Sequence, residues 1–156
     1  MHVVDACMNP FMSLRSNDID AAFADLILPR EIKEKIQDLA HSICRAHSQS
    51  MSFSPILFYG PDGKSMAAMT LAKALRMDYA QVCGQDVITT GEEGVSQIQT
   101  LFSWANLSSK GVLLFIDKVE VFLSTDTTTS GENALSAFLS NMCRRRNVLL
   151  VLATNQ

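Results

Sequence analysis

"ILFYGPDGKSMAAMTLAKAL", Ile56 to Leu75, places a short apolar run, a turn with two glycines and an Ala-, Met- and Leu-rich segment in immediate succession. The apolar run Ile56–Tyr59 predicts a buried strand, and Ser65–Leu75 predicts a helix. The turn between them, Gly60-Pro61-Asp62-Gly63-Lys64-Ser65, resembles the phosphate-loop spacing G-x-x-x-x-G-K-[ST], two residues short. A full loop of that kind curls backbone N–H groups round a phosphate at a helix N-terminus. It adds a lysine for the outer phosphate oxygens and a hydroxyl for Mg²⁺. Lys64 and Ser65 supply the last two; the missing residues remove up to two amide donors. A plain strand-to-helix turn, with Gly63 near the helix start, remains the competing reading of these six residues.

Outward from this stretch, apolar runs alternate with helical patterns. Pro29 to His47 predicts a helix with an apolar stripe at Ile32, Ile36, Leu39 and Ile43. "DYAQVC", 78–83, reads as a second strand and "GQDVITTGEEG" as a loop. Val95–Ala105 reads as an amphipathic helix with Ile98, Leu101 and Phe102 on one face, and Trp104 with Phe102 as packing residues. "GVLLFID", 111–117, is a third strand, "NALSAFLSNMC", 133–143, a third helix, and "NVLLVLATN", 147–155, a fourth strand. Residues 1–23 carry weak periodicity and read as a loosely ordered lead-in to a domain over 24–156. Strand–helix alternation predicts a parallel sheet with helices on both faces, whose ligands sit at the carboxyl ends of the strands. Gly60, Asp117 and Asn155 all fall at or just past such ends.

Two of those ends carry further chemistry. "LLFIDK", 113–118, has the form of a strand that closes on a metal-binding acid, Asp117. The next position, where a second acid would orient or deprotonate a water, is Lys118. A lysine stays protonated at neutral pH unless strongly desolvated and does not serve as that base. Asn155, after the last strand, has the hydrogen-bonding groups to meet a terminal phosphate or an attacking water. Taken singly, Asp117 also reads as an acid that happens to end a strand, and Asn155 as a turn residue. Arg144-Arg145-Arg146 suits a helix C-terminus and solvent better than a nucleic-acid patch.

Bulk composition narrows the classes. The chain has 156 residues, 47% hydrophobic and 19% charged, enough for one packed domain. A net charge of −3 offers no basic field for nucleic acid. Cys7, Cys44, Cys83 and Cys143 form no C-x-x-C pair, and His2, His41 and His47 lack zinc-site spacing, so the thiols read as reduced and structural. No run reaches the ~18 apolar residues of a membrane span. The first residues lack the basic and apolar regions of a secretory signal and read poorly as a transit peptide.

With these segments in place, the chain resembles the AAA+ ATPases over about Ala24 to Gln156, and among them the mitochondrial inner-membrane members. The resemblance rests on "ILFYGPDGKSMAA", "MDYAQVCGQDV", "LFSWANLSSKGVLLFIDKVEVFL", "NALSAFL" and "VLLVLATNQ". It implies a three-layer αβα P-loop NTPase core, ATP and Mg²⁺ as cofactors, and other AAA subunits as partners in a ring. It implies a mitochondrial setting with roles in nucleoid organisation and lipid or cholesterol handling. No clear targeting segment supports that setting, so a cytoplasmic one stays open. By position, Gly60, Pro61, Asp62, Gly63, Lys64 and Ser65 fall in the Walker A loop, with Ser65 and Asp117 as metal ligands. Asp117 is the Walker B acid, Asn155 the sensor-1 asparagine, and Asp25–Leu28 borders the adenine.

The departures from the family pattern bear on activity. The family loop G-P-P-G-T-G-K-T aligns here with two residues deleted, and its second Walker B acid is Lys118. "DVITTG" brings no aromatic residue to grip a polypeptide in a ring pore. The pattern ends after the fourth strand, before the arginine finger, sensor 2, fifth strand and helical lid. In the family sheet order 5-1-4-3-2, loss of strand 5 makes "ILFY" an edge, a site prone to pairing. An arginine finger is worth about 10³ to 10⁵ in rate. The expectation is therefore an ATP-binding domain with hydrolysis lost or much reduced. An active divergent ATPase and a decayed fragment serving as an interaction module are the alternatives.

Overall fold

The computed structural model describes residues 15–49, 51–122, 140, 145 and 147–155. Among the described residues, five helices and four strands are laid out as α1 (Ser16–Ala22), α2 (Arg30–Ser48), β1 (Ile56–Tyr59), α3 (Lys64–Ala74), β2 (Asp78–Cys83), α4 (Gly84–Thr90), α5 (Glu92–Leu107), β3 (Val112–Asp117) and β4 (Val148–Thr154). A 3₁₀ turn, Val119–Phe122, follows β3. All strand pairs are parallel, in the order β1-β4-β3-β2. The expected parallel sheet and its four strands are present, with β1 on an edge among the described residues.

Side chains alternate across β3 and β4 because a strand points successive residues to opposite faces. Leu113, Phe115, Leu149, Val151 and Ala153 face one core with α1, α2 and α3. Val112, Leu114, Ile116, Val148 and Leu150 face a second core with Ile98 and Ala105 of α5. Burial on both faces explains why β3 and β4 are continuous apolar runs. Ala67, Ala68, Ala72 and Ala74 lie buried along α3. Their small side chains let that helix pack closely on the sheet, with its N-terminus at the rim.

Five expectations are corrected. Ser16–Ala22 is helical rather than a loose lead-in, and Ile19 and Phe23 are fully buried in the first core. Two anchors on a short helix leave too little periodicity to read. "GQDVITT" is a helix, not a loop; Val87 packs it on the second core. In α2 the buried positions are Ile36, Ala40 and Ile43, while Ile32 is exposed. β1 is only half buried. Ile56 and Phe58 reach the first core, but Leu57 is 55% and Tyr59 77% exposed.

Trp104 is likewise 41% exposed rather than packed. The expected helix over 133–143 lies outside the described residues apart from Ser140. So do Cys7, Cys143, His2, Arg144 and Arg146. Arg145 donates a hydrogen bond to Asn106 near the end of α5, which gives it a structural partner beyond solvent. Cys44 and Cys83 are free thiols. Burial pushes the Cys44 thiol pKa up, which suits an inert packing role.

Candidate functional site

The carboxyl ends of the strands form one rim. β1 ends at Tyr59 opposite Thr154 of β4, and β3 ends at Asp117 opposite Cys83 of β2. Gly60, Asp117 and Asn155 thus follow from adjacent or near-adjacent strand ends, as the sequence pattern predicts. The sheet order makes β4 the hydrogen-bonded neighbour of β1, so Asn155 arrives beside the loop although 91 positions separate it from Lys64.

The loop occupies Gly60–Gly63. Gly60 has φ 116° and Gly63 φ 100°, conformations that side chains oppose. At Gly63 space also matters: a Cβ would stand 3.1 Å from Leu28 Cδ2. Gly63 caps α3, and the first intrahelical bond runs from the Ala67 amide to the Gly63 carbonyl at 2.9 Å. The amides of Lys64, Ser65 and Met66 therefore precede the helical ladder, the donor set an anion would use. Ser65 is exposed in the first turn; Pro61 and Asp62 are exposed in the loop.

Lys64 is the hub. Its Nζ donates to Gly60 O at 2.5 Å, Pro61 O at 3.1 Å and Asn155 Oδ1 at 2.6 Å. An ammonium has three donor hydrogens, and these three acceptors match them. The short loop has thus folded two of its own carbonyls onto the lysine. An incoming phosphate would compete with them for the ammonium.

Asp117 and Lys118 form a second cluster. Asp117 Oδ1 accepts the Lys118 N–H at 2.9 Å. Lys118 adopts φ 56°, the left-handed region that costs a side-chain-bearing residue about 1–2 kcal/mol. Its Nζ reaches Gln85 Oε1 of α4 at 3.4 Å. The Lys118 ammonium is thus drawn toward α4, while Lys64 engages the loop and Asn155.

Glu120 is the site residue that the sequence reading missed. It lies in the turn after β3, which packs against β4; hydrogen bonding from its own backbone N–H, and less so from the Thr154 side chain and the Asn155 backbone, favours the carboxylate form. These bonds hold its carboxyl below the usual carboxylate range; desolvation opposes the shift, and the positive charge of Lys64 assists it. The available signal was an acid three positions after Asp117, and it was weak without knowledge of the β4 neighbour.

With this geometry in view, the sequence pattern of the ATPase family associated with various cellular activities (AAA) matches residues 56–156. The chain belongs to the AAA family. It is 35% identical over 163 aligned positions to ATPase family AAA domain-containing protein 3-B of Xenopus laevis, covering 99% of this chain and 28% of that protein. It is 36% identical over 142 positions to ATPase family AAA domain-containing protein 3A of Homo sapiens, covering 86% of this chain and 24% of that protein. This AAA chain therefore spans about a quarter of the length of those relatives. Its fold superposes on the AAA domain of FIGL-1, solved in complex with ADP. The TM-score is 0.69 and the identity 19%, over 85% of this chain and 48% of that one. Among the described residues of the AAA chain, no helix is long and apolar enough to cross a membrane.

Proposed function

We propose that this AAA chain binds ATP at the strand-end rim and has largely lost its hydrolysis. The observation that carries the reading is Lys64, whose ammonium joins the glycine loop to Asn155 at 2.6 Å. A cation so placed, above the open amides of α3, suits a polyphosphate. Ser65 and Asp117 fit a Mg²⁺ ion by donor chemistry, since a hydroxyl and a carboxylate at one rim are the hard oxygen ligands that ion takes. When bound, the ion would neutralise phosphate charge. Gly60, Pro61, Asp62 and Gly63 would cradle the phosphates, and Asn155 would meet the outermost one.

Loss of hydrolysis follows from Lys118. The position that would activate water has no carboxylate, and its ammonium leans on Gln85. Glu120 is held below the ordinary range by the bonds it already accepts, which makes it a weak base. The kinship to AAA domain-containing protein 3 supports a mitochondrial setting and assembly with other AAA subunits; organelle fractionation and cross-linking with a full-length relative test these.

The primary test is titration of the purified chain with a fluorescent ATP analogue, with and without Mg²⁺, beside a phosphate-release assay. Saturable binding that weakens in Lys64→Ala, with turnover at background, is the expected result. Equal calorimetric heats for wild type and Lys64→Ala would remove the loop as a phosphate site. Brisk Mg²⁺-dependent turnover, abolished in Asp117→Ala, would make the chain an active ATPase.

A further inference from the structure

The sheet itself sets the loop beside the end of β4. Tyr59 of β1 pairs with Thr154 of β4, so Gly60 and Asn155, the next residues, leave neighbouring strands at the same level. Lys64 spans the space between them. Its Nζ donates to Gly60 O at 2.5 Å, to Pro61 O at 3.1 Å and to Asn155 Oδ1 at 2.6 Å. All three acceptors are neutral oxygens, and together they use the three hydrogens of the ammonium. The two local bonds depend on loop length. Two further residues between Pro61 and Gly63 would put both carbonyls two positions further from the lysine.

We propose that these contacts form an autoinhibitory latch: without nucleotide, Lys64 ties the carbonyls of Gly60 and Pro61 to Asn155, and a phosphate group must take the ammonium from them in order to bind. The reason is electrostatic. Carbonyl and phosphate oxygens both carry negative charge, and they compete for the same hydrogens of one ammonium. Because the three acceptors are neutral, a fully charged phosphate displaces them; a carboxylate in the place of Asn155 would hold the ammonium more firmly. Asn155 therefore opposes binding before the phosphate arrives. Its oxygen is the part that latches Lys64, and only its amide nitrogen can donate to an outermost phosphate afterwards. The nucleotide in this inference rests on the ATP-binding reading above; the latch contacts do not.

The first measurement needs no ligand. In the nucleotide-free protein, the acylation rate of Lys64 is followed peptide by peptide in wild type, Asn155→Ala, Asn155→Asp and the variant with two residues inserted between Pro61 and Gly63. Lys33, whose Nζ meets one carbonyl at 3.1 Å, and Lys110 are internal references. Loss of one hydrogen bond changes the free fraction of the ammonium by about fivefold. Asn155→Ala and the insertion should each raise Lys64 labelling by about that factor, and Asn155→Asp should lower it below wild type. Opposite shifts at one position, with Lys33 and Lys110 unchanged, are not what a general loosening of the fold produces. The insertion stands in should Asn155→Ala fail to fold. Lys64 labelling that is the same in wild type, Asn155→Ala and the insertion overturns the latch.

The same proteins are then titrated with fluorescent analogues of ADP and ATP. ADP lacks the outermost phosphate that Asn155 would meet, so it isolates the latch. Asn155→Ala should tighten ADP binding by about threefold to fivefold and tighten ATP binding less, because there a contact is lost as the latch opens. Weaker ADP binding by Asn155→Ala overturns the proposal, since Asn155 would then help to hold the phosphates rather than oppose them. Binding of ADP by Asn155→Ala or the insertion, with none by wild type, upholds the latch and shows the wild-type loop held shut. Binding by none of the four proteins removes the ATP-binding reading and the inhibitory role with it; the Lys64 labelling then still decides whether the three contacts exist.

Discussion

The end of β1 and the end of β3 both depart from an intact ATPase, and they depart in different materials. At β1 the change lies in the backbone: the loop is short, and two of its carbonyls close on Lys64. At β3 the change lies in a side chain: Lys118 replaces an acid, and the backbone absorbs it with a left-handed residue whose ammonium reaches α4. In the ATP-binding reading proposed above, a backbone change alters what a phosphate would meet and so bears on binding, and a side-chain change alters what a water would meet and so bears on turnover. Lys64 reaches Asn155 at the end of β4, and the two ends should fail separately.

The largest effect should come at the loop. Lys64→Ala removes a charge-assisted contact worth about 1.5–3 kcal/mol, so ATP-analogue affinity should fall by about tenfold or more. An unchanged Kd in fluorescence titration breaks the assignment of binding to this end. Gly63→Ala attacks the same end through conformation. Its φ of 100° and the approach of Leu28 at 3.1 Å predict a loss of about 2 kcal/mol. For a chain of this size that is a fall of about 4–8 °C in Tm. Gly60→Ala, which carries φ 116° but meets nothing within 4 Å, should cost less. If the two glycine variants melt alike, crowding by Leu28 contributes nothing.

Lengthening the loop sharpens the comparison. Two residues inserted between Pro61 and Gly63 return amide donors and should improve affinity by about fivefold, at roughly 1 kcal/mol per recovered bond. Turnover in a phosphate-release assay should stay at background, because nothing at the end of β3 has changed. A rise in turnover from the insertion alone would show that the two ends are not separable.

Lys118 gives a smaller effect of opposite sign. Lys118→Gly relieves the left-handed conformation and should raise Tm by about 2–4 °C, for about 1 kcal/mol. Lys118→Glu should leave both analogue affinity and turnover near wild type while the loop remains short. The smallest effect is the response to acid. The Glu120 carboxyl lies below its usual range in the fold, so its contribution is complete above the ordinary carboxylate pKa and is lost as pH falls through the lowered value. Between about pH 5 and pH 3 wild type should lose stability more steeply than Glu120→Gln, followed by circular dichroism. Parallel curves would show that the fold does not hold the Glu120 carboxyl below its usual range.

The doubly buried strands β3 and β4 were legible because they are covered on both faces, which writes an unbroken apolar run into the chain. Candidate site residues could be picked out where chemistry and position coincide in a short segment, as in Gly60–Ser65 and at Asp117, and the fold places Gly60, Asp117 and Asn155 at strand ends on one rim. α1 escaped because its place depends on Ile19 and Phe23 finding the core, two residues with no period of their own. α4 escaped because its β-branched and polar run has poor helix propensity and is held by packing on the second core. The exposure of Leu57, Tyr59 and Trp104 depended on what lies over them, which local hydrophobicity does not encode.

What the sequence by itself determined is the alternation of strands and helices, the glycines that permit the loop, and the residue types offered at the strand ends. These are properties of short segments, fixed by steric freedom, side-chain chemistry and periodic burial. Only the tertiary structure decided which of those ends become neighbours. Because β4 inserts between β1 and β3, Asn155 meets Lys64 across 91 positions and the turn that carries Glu120 packs on β4. Strand order is set by the packing of the whole sheet between its two cores, so it places a lysine and an asparagine together although no local pattern relates them.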